Sequence, residues 1–158
     1  MIRKEKWVEH LKAIYGDTPI ATETAERMAQ VLSKYEGTPA KDGKLSQRDS
    51  ILITYGDTLR CEGEPGFQTL HRVLGRFVGD AISTVHFLPM FPYTSDDGLS
   101  VVDYRRIAPE LGTWDDVRAM AKDYGLMFDA VVNHISKSSE WFQKYLACEA
   151  PYTDYFIT

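Results

Sequence analysis

A chain of 158 residues, 44% hydrophobic and 26% charged, has the balance of an ordinary globular domain with interior enough for one core. Its formal charge of −5 and pI near 5.3 exclude a general affinity for nucleic acid or anionic membrane. The charged, periodic start MIRKEKWVEHLK is no signal peptide, and no apolar run approaches the roughly 20 residues that span a bilayer.

Two helices are predicted first. From Arg3 to Tyr15, the residues Trp7, Val8, Leu11, Ile14 and Tyr15 recur at helical spacing, and Gly16 follows as a natural C′ residue. After Thr18-Pro19, Thr22 is expected to cap a second helix with Ala25, Met28, Ala29, Leu32 and Tyr35 in one stripe. Gly37, Pro39 and Gly43 break it, and the stretch from Gly37 to Asp49 reads as a linker.

The period then changes. Ile51 to Tyr55 is short, β-branched and apolar, as a buried parallel strand requires, and Gly56-Asp57 ends it. A helix follows with Phe67, Leu70, Val73, Leu74, Phe77 and Val78 on one face. A second strand, Ile82 to Leu88, is stopped by Pro89 and Pro92. Beyond a long loop, Thr113-Trp-Asp-Asp116 has the pattern of a capping box, and Asp115 and Asp116 suit the positive end of a helix dipole. That helix turns Val117, Met120, Ala121 and Tyr124 inward and is closed by Gly125. A third strand, Leu126 to Val132, stops at Asn133-His134. A last helix starts near Ser138 or Ser139, with Trp141, Phe142, Tyr145 and Leu146 as its buried side.

The order β-α-β-α-β-α implies a parallel sheet with right-handed crossovers. Three strands leave two edges and one poorly covered face. The chain is therefore either a small open α/β domain or the first part of a larger barrel of eight strands.

Ligands of such folds gather at the carboxyl ends of the strands. Three places qualify: Tyr55-Gly56-Asp57, the loop Pro89 to Asp103, and Asn133-His134. In the second, Asp96 and Asp97 beside Gly98 can hold sugar hydroxyls, take a hard cation or simply solvate a turn. His134, straight after an apolar strand, points to the mouth of the sheet, where its ring can hydrogen-bond a sugar hydroxyl in either direction. Asp129 sits mid-strand, and a buried carboxylate needs a partner, so it reads as a structural hydrogen-bonding group. Trp114, Trp141 and Phe142 are read as core packing and not as sugar platforms. His10, His71, His86 and His134 lack metal-ligand spacing, so neither metal nor cofactor is expected. Cys61 and Cys148 stand far apart with no CxxC spacing and read as reduced thiols, which suits a cytoplasmic protein; spacing alone leaves a disulfide open.

Asp129-Ala-Val-Val-Asn-His134 resembles the first signature block of the α-amylase superfamily. Leu52 to Tyr55, Val85 to Pro89, Ser95-Asp-Asp-Gly98, Val102-Asp-Tyr104 and Leu111 to Val117 follow the order seen in sucrose phosphorylase and its relatives. The resemblance covers about residues 50 to 158, and the leading helices look more like those of glucosylglycerate phosphorylases. It implies the first three β/α units of a (β/α)8 barrel at residues 46–158, preceded by a helical extension at residues 1–45. It also implies a retaining transfer of a glucosyl unit from an α-glucoside to phosphate, with both as small-molecule partners; the alternatives are an α-glucosidase or transglycosidase of the same superfamily, or a non-catalytic sugar-binding or interaction module. By position Asp96 and His134 match binders of the glucosyl unit, while Asn133 and Asp129 match residues that shape the pocket floor. Leu99 departs from the pattern, standing where sucrose phosphorylases carry an aromatic residue. The bond-breaking carboxylates of the family come from later strands, so an N-terminal piece, inactive alone, is expected.

Overall fold

The computed structural model describes residues 4–34 and 45–157, and the chain divides at Lys44/Leu45 into two compact units. In the first unit, α1 (Lys4–Tyr15) and α2 (Pro19–Ser33) pack against each other. Gly16 has φ +78 between them, as a C′ residue should. The second helix starts earlier than expected. Thr18, in extended conformation, is its N-cap and Pro19 its first residue, because proline's fixed φ suits that position and its missing N–H costs nothing there. Thr22 thus lies inside the helix. Ala21 and Ala25 are the buried residues of α2, whereas Met28 and Leu32 are exposed. Small side chains bring the helices together and leave the larger ones on the rim. Tyr35 and most of the expected linker lie outside the described residues.

The second unit is built on three parallel strands in the order β1-β2-β3: β1 (Ile51–Thr54), β2 (Thr84–Phe87) and β3 (Gly125–Phe128). Helix α3 (Gly66–Phe77) joins the first pair, α4 (Trp114–Met120) the second, and α5 (Glu140–Leu146) follows β3. Registered partners in a parallel sheet share a face. The rows Leu52–Val85–Leu126 and Thr54–Phe87–Phe128 turn towards the helices, and Ile53–His86–Met127 turns away. On the helix side, Val85 and Phe87 are 0% and 1% exposed, packed in one core with Phe67, Leu70 and Leu74 of α3 and Val117 and Met120 of α4. On the other side Ile53 is 62% and Met127 43% exposed. Apolar residues on both faces are the pattern of strands covered twice, and within the described residues one cover is present.

Thr113 and Asp116 close the predicted capping box. The Asp116 carboxylate accepts from the Thr113 N–H at 2.7 Å and, through its other oxygen, from the Gln68 amide at 2.8 Å, which ties α4 to α3. Several expectations fail in this unit, and Ala121, expected inside, is the exposed C-cap of α4. Phe77 is 72% exposed, because α3 ends there and the chain turns into the next strand through Gly79. Gly125 does not close a helix. It opens β3, where a Cβ would come within 2.9 Å of the Thr84 hydroxyl on the neighbouring strand. Leu146 is exposed at the end of α5, whose Ser139 N-cap accepts from the Phe142 N–H at 3.1 Å. No described helix is long and apolar enough to cross a membrane, and both cysteines are free and exposed.

Candidate functional site

The segments after β2 and β3 emerge at the same end of the sheet. After β2, the chain folds into a small hairpin closed by an antiparallel bridge between Tyr93 and Val101. Its tip is the Ser95–Gly98 turn, held by Leu99 N–H to the Asp96 carbonyl at 2.9 Å and Ser100 N–H to the Ser95 carbonyl at 3.2 Å. Asp96, Asp97 and Gly98 all have positive φ (62, 47 and 99). Aspartate tolerates this region better than most residues, and glycine without penalty. The turn exposes both carboxylates to solvent.

Gly98 is doubly constrained. A Cβ there would lie 2.9 Å from Pro89 Cβ and 3.2 Å from the Pro89 carbonyl oxygen. Gly98→Ala is therefore expected to destabilise the fold by about 1–3 kcal/mol, from the left-handed backbone and the clash together. A lowered urea midpoint at unchanged slope would show it, and an unchanged midpoint would refute it.

After Phe128 the chain leaves the ladder, four residues before the expected strand end at Val132, so Asp129 is not a strand residue. Side-chain bonds take over. The Asp129 carboxylate meets His86 Nε2 at 2.8 Å on the open face of the sheet, which supplies the partner its position demands. The Tyr104 hydroxyl donates to the carbonyls of Val131 at 2.6 Å and His134 at 3.1 Å. Asn133 Oδ1 lies 3.1 Å from His134 Nδ1, and both side chains are exposed.

Ser136 then fastens this segment to the hairpin. Its N–H donates to the Val101 carbonyl at 2.8 Å, and its buried hydroxyl pairs with that of Thr94 at 2.7 Å. The loop of Asp96 and the loop of Asn133-His134 are thus joined. Their side chains do not line one common cavity. Asn133 and His134 line a hollow of about 970 Å³ with Tyr104, Trp141, Tyr155 and Phe156. Asp97 lines a neighbouring one of about 380 Å³ with Tyr55, Asp57 and Tyr93. Trp141, read as core, in fact lines the larger hollow, tilted against the Tyr104 ring and edge-on to that of Tyr155. Trp114 packs on the core as expected.

Asp103 anchors the stretch between these loops. Burial pushes its carboxyl upward, but bonds from the Arg105 N–H (2.9 Å), the Arg105 guanidinium (3.0 Å) and Arg106 (2.9 Å) outweigh that and hold it below the ordinary aspartate range. A carboxyl depressed on folding contributes stability that is fully present above its unfolded pKa. That contribution is lost as pH falls through the folded value. Asp103→Asn is accordingly expected to lower the unfolding midpoint at pH 7 and to flatten its fall below about pH 4. Parallel acid-denaturation profiles for the two proteins would contradict this.

Tyr104, Ser136 and His86 were not singled out from sequence as site residues. Tyr104 and His86 carried a signal, through their places in the Val102-Asp-Tyr104 and Val85–Pro89 motifs, and Ser136 carried none. The three act through hydrogen bonds between segments about 30 to 43 residues apart.

Residues 81–158 match the family model for the α-amylase catalytic domain. A glucosylglycerate phosphorylase from Allomeiothermus silvanus is 45% identical over 98% of this chain and 27% of its own length. A sucrose phosphorylase from Streptococcus mutans is 38% identical over 61% of this chain and 19% of its own. Among solved structures, the sucrose 6F-phosphate phosphorylase of Thermoanaerobacter thermosaccharolyticum superposes with a TM-score of 0.61 at 34% identity. That match covers 73% of this chain and 23% of the other. The chain thus spans about a quarter of the length of the curated relatives it matches. The strand-end motifs, the parallel sheet that carries them and these likenesses agree: the chain is a glucosylglycerate and sucrose phosphorylase-like member of the α-amylase superfamily.

Proposed function

We propose that this chain forms the first three β/α units of a (β/α)8 barrel and half of the glucosyl pocket of a retaining α-glucoside phosphorylase. The observation that carries this is the fastening of the Asp96 hairpin to the Asn133-His134 segment through Ser136, at the carboxyl ends of parallel strands. The bare apolar row of Ile53 and Met127 is the face that further barrel strands would cover. Asp96 and His134 bind hydroxyls of the glucosyl unit, and Asn133 and Asp129 shape the floor.

The reaction on this reading is a double displacement. A carboxylate attacks the anomeric carbon while a second carboxyl group protonates the departing oxygen, and phosphate then releases the sugar as its 1-phosphate. Those carboxylates lie outside this chain. The donor is glucosylglycerate in preference to sucrose, since the glucosylglycerate phosphorylase alignment runs through nearly the whole chain, helical extension included. Two free, exposed thiols suit a cytoplasmic enzyme.

The test is phosphorolysis by the full-length gene product, comparing glucosylglycerate with sucrose, with and without phosphate. Glucose 1-phosphate formed mainly from glucosylglycerate is expected, and none from the 158-residue chain alone. Glucose released at a rate indifferent to phosphate would make the protein a hydrolase and overturn the reading.

A further inference from the structure

Tyr104 holds the backbone from which Asn133 and His134 project. Its hydroxyl hydrogen is shared between the Val131 and His134 carbonyls, 2.6 and 3.1 Å away, beyond the last ladder residue of β3. Burial raises the phenol's pKa, so it stays a donor throughout the neutral range. The ring packs against those of Phe91 and Trp141, with centroids at 5.5 and 5.8 Å.

The brace is itself fixed at both ends. Asp103, one residue before, is bonded to Arg105 and Arg106. The Arg105 carbonyl accepts from Trp114 Nε1 at 2.9 Å, and the Arg105 guanidinium reaches Glu140 at 3.1 Å. Tyr104 is therefore referred to the first residues of α4 and α5, and passes that fixed position on to the His134 backbone.

We infer that Tyr104 is a positioning residue for Asn133 and His134, setting where these side chains meet the sugar. The inference rests on the glucosyl-binding role proposed for His134. It adds that a phenol 30 residues upstream, touching no sugar, controls that contact through two carbonyls.

The experiment is a double-mutant cycle of Tyr104→Phe and His134→Ala in the full-length gene product, read as kcat/KM for phosphorolysis of glucosylglycerate and as thermal midpoint. Phenylalanine keeps the ring contacts and removes the hydroxyl. With His134 present, Tyr104→Phe is expected to lower kcat/KM about tenfold, mainly through KM. In the His134→Ala background the same change is expected to cost less than about twofold, since a brace has nothing left to position. An equal loss in both backgrounds would reduce Tyr104 to general structural support, and no loss in either would remove any role. Both outcomes overturn the brace and leave the pocket standing. If His134→Ala itself leaves turnover intact, the glucosyl-binding reading fails and takes the brace with it. Assays run well below each melting midpoint. Should Tyr104→Phe melt too low for that, Tyr104→His, which restores a ring-borne N–H donor, is compared under the same criteria: recovery of kcat/KM supports the brace, and none counts against it.

Discussion

Asp96→Asn in the full-length gene product is expected to lower kcat/KM for phosphorolysis about a hundredfold while leaving the thermal midpoint within a degree or two. A hydrogen bond to a charged group contributes about 1.5–3 kcal/mol net, and each 1.4 kcal/mol is a factor of ten. Contacts to sugar hydroxyls that tighten as the glycosidic bond breaks fall in the upper part of that range. The substitution isolates charge from shape. Asparagine tolerates the φ of 62 that Asp96 adopts, so the turn and its Leu99 N–H to Asp96 carbonyl bond survive. The carboxylate is exposed and holds up no part of the core. Steady-state kinetics beside a melting curve decides the matter. Wild-type kcat/KM in a folded variant would remove Asp96 from the pocket. A collapse of both quantities would make the Ser95–Gly98 turn a structural element first.

The second large effect is on stability. Phe87→Ala is expected to cost about 3–5 kcal/mol, the range for emptying a well-packed aromatic site. Phe87 lies at the centre of the sheet, 1% exposed, with the Phe67 ring edge-on at 4.9 Å and the Phe128 ring stacked at 6.0 Å. Its ring neighbours come from two other elements, α3 and β3, so no single rotamer change refills the space. Phe77→Ala is the internal control. That ring is exposed beneath the Arg76 guanidinium, and its loss should stay within about 0.5 kcal/mol. Urea unfolding of the three proteins side by side measures both. Equal midpoints for the two variants would mean that the core described around Phe87 does not hold the sheet together.

That pair also shows where sequence reasoning stopped. Phe67, Leu70, Leu74 and Phe77 share a helical period, and nothing in the period says which turn of α3 runs past the sheet. The contrast lies in where the neighbouring strand begins, which is a tertiary fact. The capping box behaves oppositely. Thr113 and Asp116 are three residues apart, their bonds close within one turn of helix, and the motif was legible without any knowledge of the rest.

The third strand falls between these cases. Leu126 to Val132 is apolar apart from Asp129, and local preference extends the strand to the end. The structure stops it at Phe128, because Asp129 turns to His86 and the Val131 carbonyl to Tyr104, both bonds crossing from other elements. Sequence alone therefore determined the β-α alternation, the turn chemistry of Ser-Asp-Asp-Gly and the strand-end motifs that identify the family. Each of these is written within a few consecutive residues. Only the tertiary structure decided that the two loops are fastened at Ser136 and that Tyr104 carries the His134 backbone. Those bonds join residues about 30 to 40 positions apart, and a hydroxyl's partner is settled by which segments the folded sheet brings together.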